Sequence, residues 1–307
     1  MAMPPAPRAG SGRDLPAAAA EASTVDRPAL GILWAVLSFG CFSAADAVVK
    51  WLSGGYTVFQ SIFVGTFFAF VPVLILVAAT EGFRAARPNN PVLVVLRGVL
   101  VTAAALGVVW SFTRLPMTDG YALVFCSPLI VTALSPWLLG EAVGWRRWAA
   151  VGAGFAGVLV MLRPGFATLD PGHLSAFASA VLFALGLIVL RRIGRTESNA
   201  ALLVGLLLTT QAMLLPVMPF VWVTPGWADL VLMGLSGTFA GFAQIFLVLA
   251  FKAAPAPVVA PFQYSQMLWG VLFGLLLFGD RPTVFVLIGA AIVVACGLYI
   301  LHRERRA

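Results

Sequence analysis

Apolar residues run through this chain in long unbroken stretches rather than in alternation with polar ones. Ten such blocks can be read, at roughly 29–51, 56–79, 92–113, 118–139, 147–163, 172–192, 199–221, 227–250, 257–279 and 283–302. About 20 helical residues at ~1.5 Å each cross the ~30 Å hydrocarbon core of a bilayer. Barrel strands alternate apolar and polar side chains, which these blocks do not. The pattern predicts an all-α integral membrane protein of ten transmembrane helices.

Composition strengthens this reading. Of 307 residues, 61% are hydrophobic and only 10% charged, more apolar surface than a soluble chain of this length can hide. The net charge of +7 raises the question of nucleic acid, but the basic residues fall in short connections, none long enough to fold into a basic domain. If the spans alternate, 15 of the 19 basic residues, with Arg97 included, lie on one side, and Lys50, Arg114, Arg163 and Arg281 on the other. The positive-inside rule then puts both termini in the cytoplasm, as expected of a multi-pass protein of a bacterial inner membrane. Residues 1–28 are rich in Ala, Pro and Gly, without an apolar core and cleavage site, and read as a disordered tail. Residues 303–307 form a short basic tail.

The chain repeats itself. "PWLLGEAVGWRRWAAVGAGFAGVLVML" and "GLLLFGDRPTVFVLIGAAIVVACGLYIL" share a leucine-rich helix end, a Gly-acid pair (Gly140-Glu141, Gly279-Asp280), a turn and a glycine-dotted helix. "WSFTRLP" and "LAFKAAP" close the third and eighth blocks alike. The halves are 29–164 and 172–302, five spans each. Because five is odd, the second half enters from the opposite side, which predicts inverted repeats around a central cavity near the midplane.

On these residues the chain resembles the EamA family of the drug/metabolite transporter superfamily, most closely its bacterial aromatic amino-acid exporters. The resemblance covers about 29–302. It departs from the family pattern at Asp280, where Glu is usual, and at Pro261, displaced from a proline expected near Met267. The family implies a cavity lined by spans 1–4 and 6–9, with spans 5 and 10 peripheral.

The ninth block, "PVVAPFQYSQMLWGVLFGLLLFGD", concentrates polar groups in oil. Gln266 lies about nine residues in, or roughly 13 Å deep. Pro261 withholds a backbone N–H and crowds the carbonyl four residues back, so the helix should bend there, tolerable at depth only against protein or cavity water. Gln263 and Gln266 share a face, which should look inward; Tyr264 stands beside them. Ser127 with Pro128 is the matching level of the fourth block, and Pro128 and Pro261 are hinge candidates. Gln244, Trp110, Ser111, Thr209, Thr210 and Gln211 complete the polar inventory. Such groups also glue helices together at ~1–2 kcal/mol each; a cluster beside a proline near the midplane favours a binding site. With few fixed charges the site suits a small molecule of polar ends and apolar body, such as an amino-acid zwitterion, and not a phosphorylated metabolite, which calls for Arg or Lys. The expected activity is amino-acid export; the alternative is another neutral or cationic metabolite, such as a nucleoside, quaternary amine or vitamin.

Asp46 precedes Lys50 by one turn, which predicts a helix-end ion pair, with a proton site as its functional alternative. Asp119 should cap the fourth span, Arg97 should anchor to headgroups, and Glu141 and Asp280 should fix corners or close gates. Residues 152–157, "GAGFAG", match a dinucleotide fingerprint but fall inside an apolar span, where Ala153 and Gly157, like Gly237 and Gly241, serve close packing. Cys41, Cys126 and Cys296 each stand alone in different spans, His173 and His302 lie near surfaces, and no metal-ligand spacing appears. No cofactor, catalytic centre, nucleic acid or obligate protein partner is expected; membrane lipid is.

Overall fold

The computed structural model describes residues 28–140, 143–162, 170–194, 196–254 and 256–304, and every regular element among them is helical. Helices α1 (Pro28–Leu52), α2 (Val58–Thr80) and α3 (Pro91–Phe112) are followed by a broken pair, α4 (Met117–Val124) and α5 (Ser127–Leu138), and by α6 (Trp145–Leu162). The second half runs α7 (Pro171–Ile193), α8 (Asn199–Leu214), a 3-10 turn and α9 (Met218–Val221), then α10 (Trp227–Ala253). Its ninth segment is four pieces: α11 (Ala256–Val259), a 3-10 stretch (Ala260–Tyr264), α12 (Ser265–Phe273) and a π-helical turn (Gly274–Phe278); α13 (Val284–Glu304) ends it.

Seven segments among the described residues are long and apolar enough to cross a membrane: Pro28–Leu52, Val58–Thr80, Pro91–Phe112, Met117–Leu138, Pro171–Ile193, Asn199–Val221 and Trp227–Ala253, with Val284–Ile300 a shorter apolar helix. The expectation of ten spans is thus met at seven. Helix α6 opens with "WRRW", which lowers its hydropathy, and the ninth segment is too fragmented to form one rod. The amino-terminal tail up to residue 27, Glu141 and the end of the basic tail lie outside the described residues.

Local chemistry sets the ends. Thr57, Asn90 and Ser198 each accept a backbone N–H of the following first turn, and Asp170 with His173 forms a capping box. Gly140 and Gly279, the glycines of the two Gly-acid pairs, adopt φ of 69° and 68°, the left-handed conformation that ends helices and that a Cβ disfavours.

Packing directions reveal how the halves are related. A Cβ on Gly31 would stand 2.5 Å from that of Ala254, and Ser38 donates to the Ala243 carbonyl at 2.7 Å, so α1 and α10 are antiparallel. Helices α2 and α10 run parallel, with Gly237 pressed on the Gly65 carbonyl and Gly241 on Pro72. The α2–α8 pair is antiparallel, since Gln211 donates to the Phe63 carbonyl while Val77 clusters with Ala200. Helices α8 and α3 are parallel, through Gly205 with Val94 and Thr210 with Thr102. Finally α3 and α7 are antiparallel, with Gly107 against Ser175 and Gly186 against Val101. Following these contacts from α1 to α7 shows the two leading helices pointing in opposite directions. The α1–α10 packing, between the first span of one half and the third of the other, reappears as α7–α3.

Two loop clamps repeat the relation. At one end Gln60 is fully buried and makes both amide hydrogen bonds with the Val223 backbone (2.6 and 2.9 Å), while Tyr56 donates to Asp229 at 2.8 Å. At the other end Glu197 accepts the backbone N–H groups of Asn89 and Asn90 at 2.9 and 2.6 Å, and Ser198 donates to the Ala85 carbonyl. The first clamp joins a helix of one half to a loop of the other and the second joins two loops, each satisfying backbone groups outside the α-helices.

Candidate substrate site

Two helix breaks meet in the interior. Pro128 is the second residue of α5, and the carbonyl its ring displaces belongs to Val124, the last residue of α4. Pro261 lies in the 3-10 stretch that separates α11 from α12. The residues at the two breaks touch: the rings of Phe125 and Tyr264 are edge-to-face, 5.3 Å apart. Tyr121, 3% exposed, packs 4.9 Å from Phe112 and stacks 6.2 Å from Phe125. It also lies flat on α12, where a Cβ at Gly270 would come within 2.6 Å of its ring.

The Tyr121 hydroxyl donates to Asp46 Oδ2 at 2.6 Å, joining α1, α4 and α12 around one carboxylate. This overturns the expected Asp46–Lys50 ion pair. Lys50 Nζ instead sits 2.6 Å from Asp280 Oδ2, 4.4 Å from the Phe278 ring centroid and 3.4 Å from the Leu115 carbonyl. The Met117 N–H also donates to Asp280 Oδ2, at 3.4 Å. An i, i+4 spacing puts two side chains on one face, but each here meets a better-placed partner from a distant segment. Asp280 and Lys50 thus tie the ends of α1, the ninth segment and the α3–α4 turn together.

Other side chains also find tertiary partners. Asp119 stands in the first turn of α4, where the helix dipole favours it, yet α4 has Pro116 as N-cap and no side-chain capping bond; the expected cap is absent. Arg97 turns to α8 and donates to the Leu202 carbonyl at 3.3 Å. Thr210 bonds Thr102 at 2.8 Å, Thr209 packs on Gly98 and Gln211 bonds the Phe63 carbonyl at 3.2 Å, so all three hold helices together.

The remaining site residues divide into two groups. Gln263, Gln266 and Trp269 follow one another at intervals of three, and Trp269 packs against Gly40 of α1, which fixes the direction of that face. Both glutamines are partly buried, whereas Leu268, on the other side, is 73% exposed. Tyr264 is buried with its hydroxyl against Gly297 of α13, turned from the glutamine face toward a neighbouring helix. Ser127 is buried at the start of α5, and Gln244 is partly buried in mid-α10. Trp110 belongs elsewhere, in the cluster with Val49 and Leu214 beneath Arg114 (5.0 Å), whereas Ser111 donates to the Val108 carbonyl of its own helix at 2.6 Å and lies against Gly120 of α4. Tyr121 was not singled out from the sequence, although its signal, a phenol within the apolar run "GYALVF", is present.

The architecture defines a class: a multi-pass membrane transporter built from two repeats. The chain belongs to the EamA-like transporter family, whose model matches residues 29–163 and again 170–302. It is 28% identical over 277 residues to the S-adenosylmethionine uptake transporter of Rickettsia prowazekii (strain Madrid E), covering 90% of this chain and 94% of that protein. It is 32% identical over 290 residues to the riboflavin transporter of Rhizobium johnstonii, covering 91% and 93%. A solved structure at 18% identity superposes with a TM-score of 0.63 over 90% of this chain and 97% of the other, and shares the fold. These relatives are named for S-adenosylmethionine uptake and for riboflavin, and not for export of aromatic amino acids.

Proposed function

We propose that the protein is a secondary transporter of a bacterial inner membrane whose cargo is a nitrogen heteroaromatic carrying a polyol or ribose, with a neutral flavin of the riboflavin type as the first substrate. The observation that carries this reading is the meeting of two broken helices, where Phe125 packs edge-to-face on Tyr264 and the Tyr121 ring lies on Gly270, one helical turn from Gln266 and beyond it Gln263. Amides match the imide and hydroxyl groups of such a cargo, and ring faces match its planar body. Ten crossings, arranged as inverted five-helix halves with both termini cytoplasmic, would rock about the breaks at Pro128 and Pro261 and expose a central cavity to each side in turn. Ser127, Gln244 and Ser111 remain the further lining candidates. Energy comes from the substrate gradient or from protons, with Asp46 as the proton site.

One observation favours a second cargo. Asp46 is a carboxylate within α1 held by a single tyrosine hydroxyl, and a sulfonium or ammonium cation could displace that hydroxyl. Proteoliposomes given labelled riboflavin, S-adenosylmethionine and phenylalanine separate the readings. Saturable riboflavin binding that survives Asp46→Asn supports the neutral cargo. S-adenosylmethionine uptake abolished by Asp46→Asn supports the cation. Phenylalanine alone moving refutes both.

A further inference from the structure

Helices α6 and α13 run antiparallel and press together at one point: a Cβ on Gly289 would lie 2.5 Å from the Gly157 carbonyl, and one on Gly157 2.9 Å from Ile292. Toward the amino terminus of α6 they splay apart. The space between them is an open groove of about 460 Å³, lined by Ala149, Ala150 and Ala153 of α6 and by Ala295, Cys296 and Tyr299 of α13, with Trp145 and Arg146 at its mouth. The volume lies within the ~300–1,000 Å³ of ordinary small-molecule sites. Ala153, expected to press helices together, instead forms part of the groove floor, and Gly157 alone makes the close crossing.

The groove has the length and polarity of a lipid. Eight residues separate Trp145 from Ala153, which is ~12 Å along the helix and nearly the ~15 Å of one hydrocarbon leaflet. The floor is methyl groups and a thiol, flanked by the Tyr299 phenol. At the mouth, Arg146 lies 5.5 Å from the Trp145 ring centroid, and the nearby Trp137 and Trp148 rings pair at 6.2 Å. Trp145 and Trp137 are 75% and 72% exposed, as befits rings at headgroup level. A cation above an apolar slot one leaflet deep is complementary to an anion attached to an acyl chain, and basic sites between membrane helices recognise anionic headgroups.

We infer that the α6–α13 groove is a binding site for one anionic phospholipid, with its phosphate on Arg146 and an acyl chain along the alanine floor. The inference is independent of what the protein transports. It is tested by native mass spectrometry of the purified full chain titrated with dioleoyl phosphatidylglycerol or phosphatidylcholine. The wild type should retain one phosphatidylglycerol at least ten-fold more tightly than phosphatidylcholine. Arg146→Gln, a change at an exposed position, should bring that ratio close to one, and Ala153→Phe, which fills the floor, should lower retention of both lipids about ten-fold. Equal retention of the two lipids by the wild type, or a ratio unmoved by Arg146→Gln, overturns the assignment. So does a lipid-free species of doubled mass that Ala153→Phe converts to monomer, because a second copy would then occupy the groove.

Discussion

The Lys50–Asp280 contact makes the most demanding prediction. It joins the end of α1 to the end of the ninth segment at 2.6 Å, between side chains only 12% and 18% exposed. At an effective dielectric of ~20, unit charges that close attract by about 6 kcal/mol, and desolvation offsets most of this. The net effect should fall between the ~0–1 kcal/mol of exposed pairs and the ~3–5 kcal/mol of breaking a buried one, so about 2 kcal/mol. If the contact closes its end of the transporter, Asp280→Asn should shift the closed-to-open equilibrium roughly 30-fold, at ~1.4 kcal/mol per decade. Lys50→Met should do at least as much, since Asp280 would keep only the Met117 N–H, whereas Lys50 in Asp280→Asn keeps the Leu115 carbonyl and the Phe278 ring. The assay is the labelling rate of Thr118→Cys by an impermeant thiol reagent, in a background without Cys41, Cys126 and Cys296; Thr118 is fully buried beside Met117. Labelling of the single variants should rise about 30-fold, and the Lys50→Met/Asp280→Asn pair should be far from additive. Rates within two-fold of wild type, or strict additivity, would refute the gate.

Four further outcomes follow from the geometry. Gly270→Ala places a methyl 2.6 Å from the Tyr121 ring and should cost ~1–3 kcal/mol by overpacking, read as a lower thermal midpoint in detergent. Gly237→Ala, which drives a methyl into the Gly65 carbonyl at the α2–α10 crossing, should cost more, because backbone must move; a neutral effect on melting would show that the helices do not pack this closely. Tyr121→Phe keeps the ring on Gly270 but strips Asp46 of its hydrogen bond; the pH profile of transport should move while stability falls by only ~1 kcal/mol, and an unmoved profile removes Asp46 from proton coupling. Gln263→Leu and Gln266→Leu should each weaken riboflavin binding about ten-fold, measured by quenching of flavin fluorescence, with unchanged melting; unaltered affinity in both removes this face from the site.

The comparison of sequence and structure turns on which forces act locally. The Gly-acid pairs at Gly140 and Gly279 end helices because a left-handed residue is a property of the backbone at one position. The breaks near Pro128 and Pro261 follow from a missing N–H and a ring clash within four residues. The internal repeat was legible as well, since the same local signals recur in each half.

Partner choice was not legible. Asp46 and Lys50 are one turn apart and of opposite charge, yet they bond Tyr121 and Asp280, 75 and 230 residues away. Thr209, Thr210 and Gln211 looked like site residues and serve as helix contacts, because an isolated span does not reveal which of its faces meets a neighbour. Trp110 sits at a fitting depth, but the packing of α3 directs it into the cluster with Val49 and Leu214.

The linear order of residues by itself determined the medium, the helical state, the breaks and the two-fold repeat, because hydropathy, proline and glycine act over a few residues. Only the assembled structure decided that Asp46 meets a phenol, that Lys50 closes on Asp280 and that α6 and α13 part to leave a groove. Those contacts depend on the direction and depth at which separate helices cross, and that geometry comes from the packing of the whole bundle.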